Sequence, residues 1–103
     1  MDYIYKQSVI IYFNKGIPNL DEFYELEDQL RKIIIDNEVG YYDGHEIAMD
    51  DSDGFLFMYG LNAEDLFKSV KPTLENTPFM KGAIARLEFR SSEDKIMEID
   101  VEI

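Results

Sequence analysis

Residues 40–60 read GYYDGHEIAMDDSDGFLFMYG. Runs 41–50 and 55–59 have the aromatic and apolar composition of strands, with Tyr41, Tyr42 and Ile47 in the first and Phe55 to Tyr59 in the second. Between them, Asp51-Ser52-Asp53-Gly54 supplies side chains that bond their own backbone and a glycine that reaches turn conformations. The segment predicts a hairpin. Its position decides the fold, because a helical period flanks it on both sides.

On the N-terminal side, Val9, Ile11 and Phe13 alternate with Ser8, Ile10 and Tyr12, which predicts a strand over 3–13. Lys15-Gly16-Ile17-Pro18-Asn19 breaks that strand, and Asn19 with Glu22 three residues on forms an Asn-x-x-Glu version of the capping box. A helix is expected from near Leu20. Phe23, Leu26, Leu30, Ile33 and Ile34 recur at helical spacing, while Glu27 with Arg31 and Asp28 with Lys32 stand four apart and are expected to pair on the wet side. Gly40 is expected to mark the helix end.

On the C-terminal side, Asn62 is an N-cap, and Glu64 and Asp65 favour the positive end of a second helix. Leu66, Phe67, Val70 and Leu74 form its buried stripe, and Pro72 removes one backbone donor. Ala83, Ala85, Leu87 and Phe89 then alternate with Ile84, Arg86, Glu88 and Arg90, giving a strand with one wet or interacting face. Ser91 to Asp94 turns the chain. Met97, Ile99, Val101 and Ile103 alternate with Glu98, Asp100 and Glu102, the pattern of a half-buried antiparallel strand.

The order strand, helix, strand, strand, helix, strand, plus one more strand, folds under right-handed crossovers into an α+β, ferredoxin-like two-layer sandwich. Both helices are expected on one face of an antiparallel sheet, with the second strand at one edge and the C-terminal strand at the other. A chain of 103 residues supports a single domain, since it buries roughly 65% of the surface its unfolded state exposes.

Charge is the second feature. Between Ile33 and Phe67 there is no lysine or arginine, yet there are nine carboxylates and the only histidine, His45. The first 67 residues hold 15 acids against 4 bases, so nearly all of the net −12 lies there. Such a field repels nucleic acid and anionic membrane and favours a basic partner or a cation. At 46% hydrophobic and 14% aromatic, the chain is too apolar to be a disordered acidic tail. It contains no cysteine, which excludes disulfides, thiolate nucleophiles and thiolate metal sites. The first residues lack the basic start and apolar run of a secretory signal, and the longest apolar stretches are five residues, so a cytoplasmic protein without membrane spans is expected.

Three motifs fail on their own chemistry. Asp53-Gly54-Phe55-Leu56-Phe57-Met58-Tyr59 superficially follows the aromatic strand of RNA-recognition domains, but the basic position is Asp53 and the small residue after the first aromatic is Leu56. With Asp51 and Gly54 set as in a calcium loop, the first ligand falls on Met49 and the bidentate glutamate on Gly60, so the loop fails at both ends. In Asp43-Gly44-His45-Glu46, a regular strand would put Asp43 and His45 on one face and Glu46 on the other, which weakens any three-ligand cluster. No catalytic, metal-ligating or cofactor-binding set is read from the chain, and no nucleophile elbow, phosphate loop or dinucleotide fingerprint occurs.

Gly40-Tyr41-Tyr42-Asp43-Gly44-His45-Glu46-Ile47, then Phe55 to Gly60, then Ala63-Glu64-Asp65-Leu66-Phe67 through Lys71-Pro72-Thr73-Leu74, together with Leu26-Glu27-Asp28 and Gly82-Ala83, resemble a family of small, mostly uncharacterised bacterial proteins. That family is similar to immunity-like proteins found near bacterial toxin systems. The resemblance implies this fold and a bacterial cytoplasmic origin, and carries over no catalytic residue.

The expectation is a non-enzymatic acidic domain that binds a basic protein, in its most concrete form an immunity-type inhibitor of a basic toxin. Asp43, His45, Glu46, Asp50, Asp51 and Asp53 are the expected partner-binding residues. The alternative is a ligand-binding or enzymatic domain with a pocket on the open sheet face, closed by a symmetric dimer. No nucleic acid or membrane partner is expected.

Overall fold

The computed structural model describes residues 7–90 and 96–103. Its elements are β1 (Gln7–Phe13), α1 (Leu20–Asp36), β2 (Tyr41–Ile47), β3 (Gly54–Gly60), α2 (Ala63–Glu75), a 3₁₀ turn (Pro78–Met80), β4 (Ile84–Arg90) and β5 (Ile96–Glu102). The strands form one antiparallel sheet in the order β2-β3-β1-β4-β5. This is the ferredoxin-like arrangement with one added strand, and β2 and β5 occupy the edges as expected. The expected strand start at 3–6 and the turn at 91–94 lie outside the described residues.

Alternation decides which face meets the helices. Val9, Ile11 and Phe13 of β1, Leu56 and Met58 of β3, and Ala85 and Leu87 of β4 all point to one side and are buried. Phe23, Leu26, Leu30 and Ile34 of α1 and Leu66, Phe67, Val70 and Leu74 of α2 close over them. Both helices start as their caps dictate: Asn19 Oδ1 accepts from the Glu22 N–H at 2.8 Å and Asn62 Oδ1 from the Asp65 N–H at 2.9 Å, satisfying donors that helix geometry leaves unpaired.

Four expectations are corrected. Helix α1 ends at Asp36, and the left-handed residue after it is Glu38 (φ 56°) rather than Gly40. Gly40 answers to a different constraint: a Cβ there would lie 1.9 Å from the Tyr59 carbonyl oxygen, so only glycine lets the chain enter β2 this close to β3. Strand β2 stops at Ile47 instead of residue 50, leaving a six-residue connection before Gly54. Glu27 does not pair on the wet side. Arg31 pairs with Asp28 at 3.1 Å, Lys32 with Asp36 at 2.8 Å, and Glu27 turns inward, 3% exposed.

Strand β5 is also not half-buried along its length. Met97 and Ile99 face the helix side, opposite Phe89 and Leu87, yet are 67% and 47% exposed. The reason is width. Helix α2 lies over β1, β3 and β4, and α1 over β2. Two helices, each about 10 Å across, cover about four strands spaced at about 4.8 Å, and the fifth is left over.

Candidate functional site

A β-bulge sets the chemistry of the β2 edge. Tyr42 pairs with Met58 and His45 with Leu56, but Asp43 and Gly44 together stand opposite Phe57. The extra residue shifts the alternation by one, so Tyr42 and His45 both face α1, and Asp43 and His45 do not share a face as a regular strand would require. Gly44 allows this at φ 131°, a conformation that L side chains rarely adopt.

Beneath α1 these two side chains meet Glu27. The Tyr42 hydroxyl donates to Glu27 Oε2 at 2.6 Å, and His45 Nδ1 lies 2.6 Å from the same oxygen. Donation from Nδ1 to this carboxylate oxygen corresponds to the Nδ1–H tautomer and turns Nε2 away from the carboxylate. The Phe23 ring packs edge-on to His45 at 4.9 Å, and the Arg31 guanidinium covers the Tyr42 ring at 5.1 Å. Burial, and then the hydrogen bond and charge of Glu27, hold the Tyr42 phenol far above its ordinary pKa, with Arg31 opposing weakly. Tyr42 is a donor, not a base. A carboxylate that orients an imidazole is also found in catalytic and metal sites. Among the described residues, however, no group of three His, Cys, Asp or Glu side chains is spaced to hold a metal ion. Here the cluster joins the bulged edge to its helix.

Among the described residues, no helix lies on the opposite face of the sheet. On it lies a groove of about 580 Å³ lined by Ile10, Tyr12, Glu46, Phe55, Phe57, Ile84, Arg86 and Glu88. Its floor is aromatic: the Tyr12 and Phe55 rings stand 5.1 Å apart and those of Phe55 and Phe57 6.1 Å apart, with Phe55 38% exposed. Among the described residues that line it, Arg86 is the one cation, and it is already committed. Arg86 makes a bidentate pair with Asp100, Nε–Oδ1 at 2.9 Å and Nη2–Oδ2 at 3.1 Å, with Glu98 4.0 Å away. The hydrogen bonds with Asp100 push the guanidinium pKa up and hold the Asp100 carboxyl below its ordinary value. Glu46 stands on the rim, and Glu88 accepts from Ser8 Oγ at 2.7 Å. The groove is thus an apolar channel with an anionic margin.

The six residues singled out in the sequence divide among four places. Glu46 lines the groove, and Asp53 borders it by accepting from the Tyr12 hydroxyl at 3.3 Å. Asp43, exposed on the bulge, lies close enough to Tyr59 to add its charge to the burial that raises that phenol. His45 is turned away from all of these, toward Glu27. Asp50 is exposed at the hairpin end, where its Oδ1 accepts from the Ser52 N–H at 3.1 Å; hydrogen bonding from the Ser52 side chain first, and then from this N–H, lowers its pKa. Asp51 adopts φ 59°, and its carbonyl accepts from the Ile17 N–H at 3.1 Å, docking the hairpin on the β1–α1 connection. Sequence reasoning missed Glu27 and Tyr42 as partners. The signal was present in part: position 27 follows Phe23 by four and precedes Leu30 by three, inside the apolar stripe of α1. Comparison with models of known families, with curated proteins and with solved structures returned no significant match.

Proposed function

We propose that this chain is a binding domain, with no catalytic role of its own, that receives a basic protein partner on the helix-free face of its sheet. One observation carries the reading: an aromatic groove whose one cation among the described residues, Arg86, is neutralised by its own neighbours, edged by Glu46 and Glu88, on a chain of net charge −12. Lysine and arginine side chains suit such a surface, because their apolar stems and cationic heads pack on aromatic rings while carboxylates take the charge. The wider acidic field speeds encounter and rejects acidic competitors. An immunity-type inhibitor of a basic toxin, the kind of protein the resemblance implies, is the concrete form of this proposal.

The test is capture from a lysate of the source cell on immobilised protein, with the retained protein identified and the experiment repeated with the pair Glu46→Lys and Glu88→Lys. A strongly basic protein retained at low salt and lost both at high salt and with the double variant is the expected result. Retention that ignores salt and both reversals overturns the proposal.

The groove volume favours a second reading, since it falls within the few hundred to about 1,000 Å³ typical of small-ligand sites. In that reading the occupant is a small molecule with an apolar body and a cationic head, bound with or without chemistry. A second copy packed sheet to sheet would bring like-charged margins together, which opposes closure by a homodimer. Thermal-shift measurements with aromatic amines separate the readings: stabilisation at micromolar amine favours the small ligand.

A further inference from the structure

The two edges of the sheet are treated differently. Edge β2 is interrupted by the bulge at Asp43 and is flanked by α1, two devices that stop another strand from adding. Edge β5 has neither. It pairs with β4 without interruption over seven positions, from Ile96 opposite Arg90 to Glu102 opposite Ile84, and contains no proline, glycine, lysine or arginine. Its helix-side face shows Met97 and Ile99, which no element among the described residues covers, and its other face shows Glu98, Asp100 and Glu102.

A row of acids at one polarity discriminates between incoming strands. Two copies of β5 paired about a two-fold axis must set residues of the same face opposite one another, so with the strands fully overlapped Glu98 meets Asp100 twice over, an unfavourable pairing. A basic strand meets the reverse situation. Asp100 is taken by Arg86, but Glu98 lies 4.0 Å from that guanidinium with its side chain 47% exposed. Glu102 is exposed at the end of the same row.

We propose that β5 is the edge on which an extended segment of alternating apolar and basic residues adds as a sixth strand, its apolar side chains over Met97 and Ile99 and its lysines or arginines against Glu98 and Glu102. Backbone hydrogen bonds to the open edge supply the affinity, and the two faces of β5 set the pattern. The inference rests on the reading of the partner as a basic protein and names how part of it is held.

The experiment is a titration of ¹⁵N-labelled protein with three capped heptapeptides: alternating valine and lysine, the same composition with all lysines at one end, and alternating valine and glutamate. The expected result is that the alternating lysine peptide alone shifts the Ile96–Glu102 amides and slows their exchange, weakens with salt, and binds about tenfold less tightly to the Glu98→Lys/Glu102→Lys variant. Both substituted positions are exposed, and an unchanged amide pattern elsewhere verifies the fold of the variant. Equal binding of the block peptide, shifts confined to the groove around Phe55 and Phe57, or no binding by any peptide overturns strand addition while the basic-partner reading still stands on its own capture test. Equal binding of the glutamate peptide overturns strand addition and counts against the basic-partner reading as well.

Discussion

A carboxylate whose side chain is only 4% exposed must be compensated where it stands, and Glu27 is compensated by Tyr42 and His45 on a single oxygen. Hydrogen bonds to a charged group contribute more than neutral ones, so Tyr42→Phe should lower stability by about 1.5–3 kcal/mol in urea denaturation. The same variant has a pH signature. The folded phenol titrates above its ordinary value near 10, so its contribution is complete below pH 10 and declines above it, as the unfolded phenol ionises while the folded one stays protonated. The stability gap between the native protein and Tyr42→Phe should therefore be flat from pH 7 to 9 and narrow at pH 11. A gap that widens at pH 11 contradicts the buried donor.

At the scale of the element, the β2 edge depends on two glycines for different reasons. A Cβ on Gly44 would meet nothing within 4 Å, so Gly44→Ala is penalised only through its backbone, by about 1–3 kcal/mol. A Cβ on Gly40 collides with the backbone of β3, and Gly40→Ala should therefore displace the strand and cost more than Gly44→Ala in the same denaturation assay. Equal costs would mean that the close approach of β2 to β3 is softer than the structure describes. Just past the C-terminus of α1, Glu38 holds a left-handed conformation that costs an ordinary residue about 1–2 kcal/mol, so Glu38→Gly should raise the midpoint rather than lower it. That site also illustrates a limit of reading glycines from sequence. The left-handed position after α1 is filled by a glutamate, and the glycine two residues later serves a strand contact.

For the whole molecule, 22 acids against 10 bases make self-repulsion the long-range term. Salt screens it over about 10 Å at 0.1 M, so the melting temperature should rise between about 10 and 150 mM sodium chloride. A fall would mean that local pairs such as Arg86–Asp100 outweigh the field. In the proposed reading the same excess selects cationic partners at the open face and the β5 edge, because each apolar surface is bordered by carboxylates.

Element order, both helix caps, the buried stripes and the two faces of β1 and β4 were determined by the sequence alone. Each depends on residues near one another in the chain, through turn chemistry, cap hydrogen bonds and the periods of strand and helix. Tyr12 was legible on the second face of β1, but which face of the sheet stays open, and that Phe55 and Phe57 join Tyr12 there, was not. Only the tertiary structure decided that the bulge turns His45 and Tyr42 toward α1, that Glu27 is buried instead of paired with Arg31, and that Met97 and Ile99 stay uncovered. A bulge depends on register against a neighbouring strand, the burial of a carboxylate on donors fifteen and eighteen residues away, and the cover of a fifth strand on the combined width of two helices. None of these is a property of any stretch of chain short enough to carry a period.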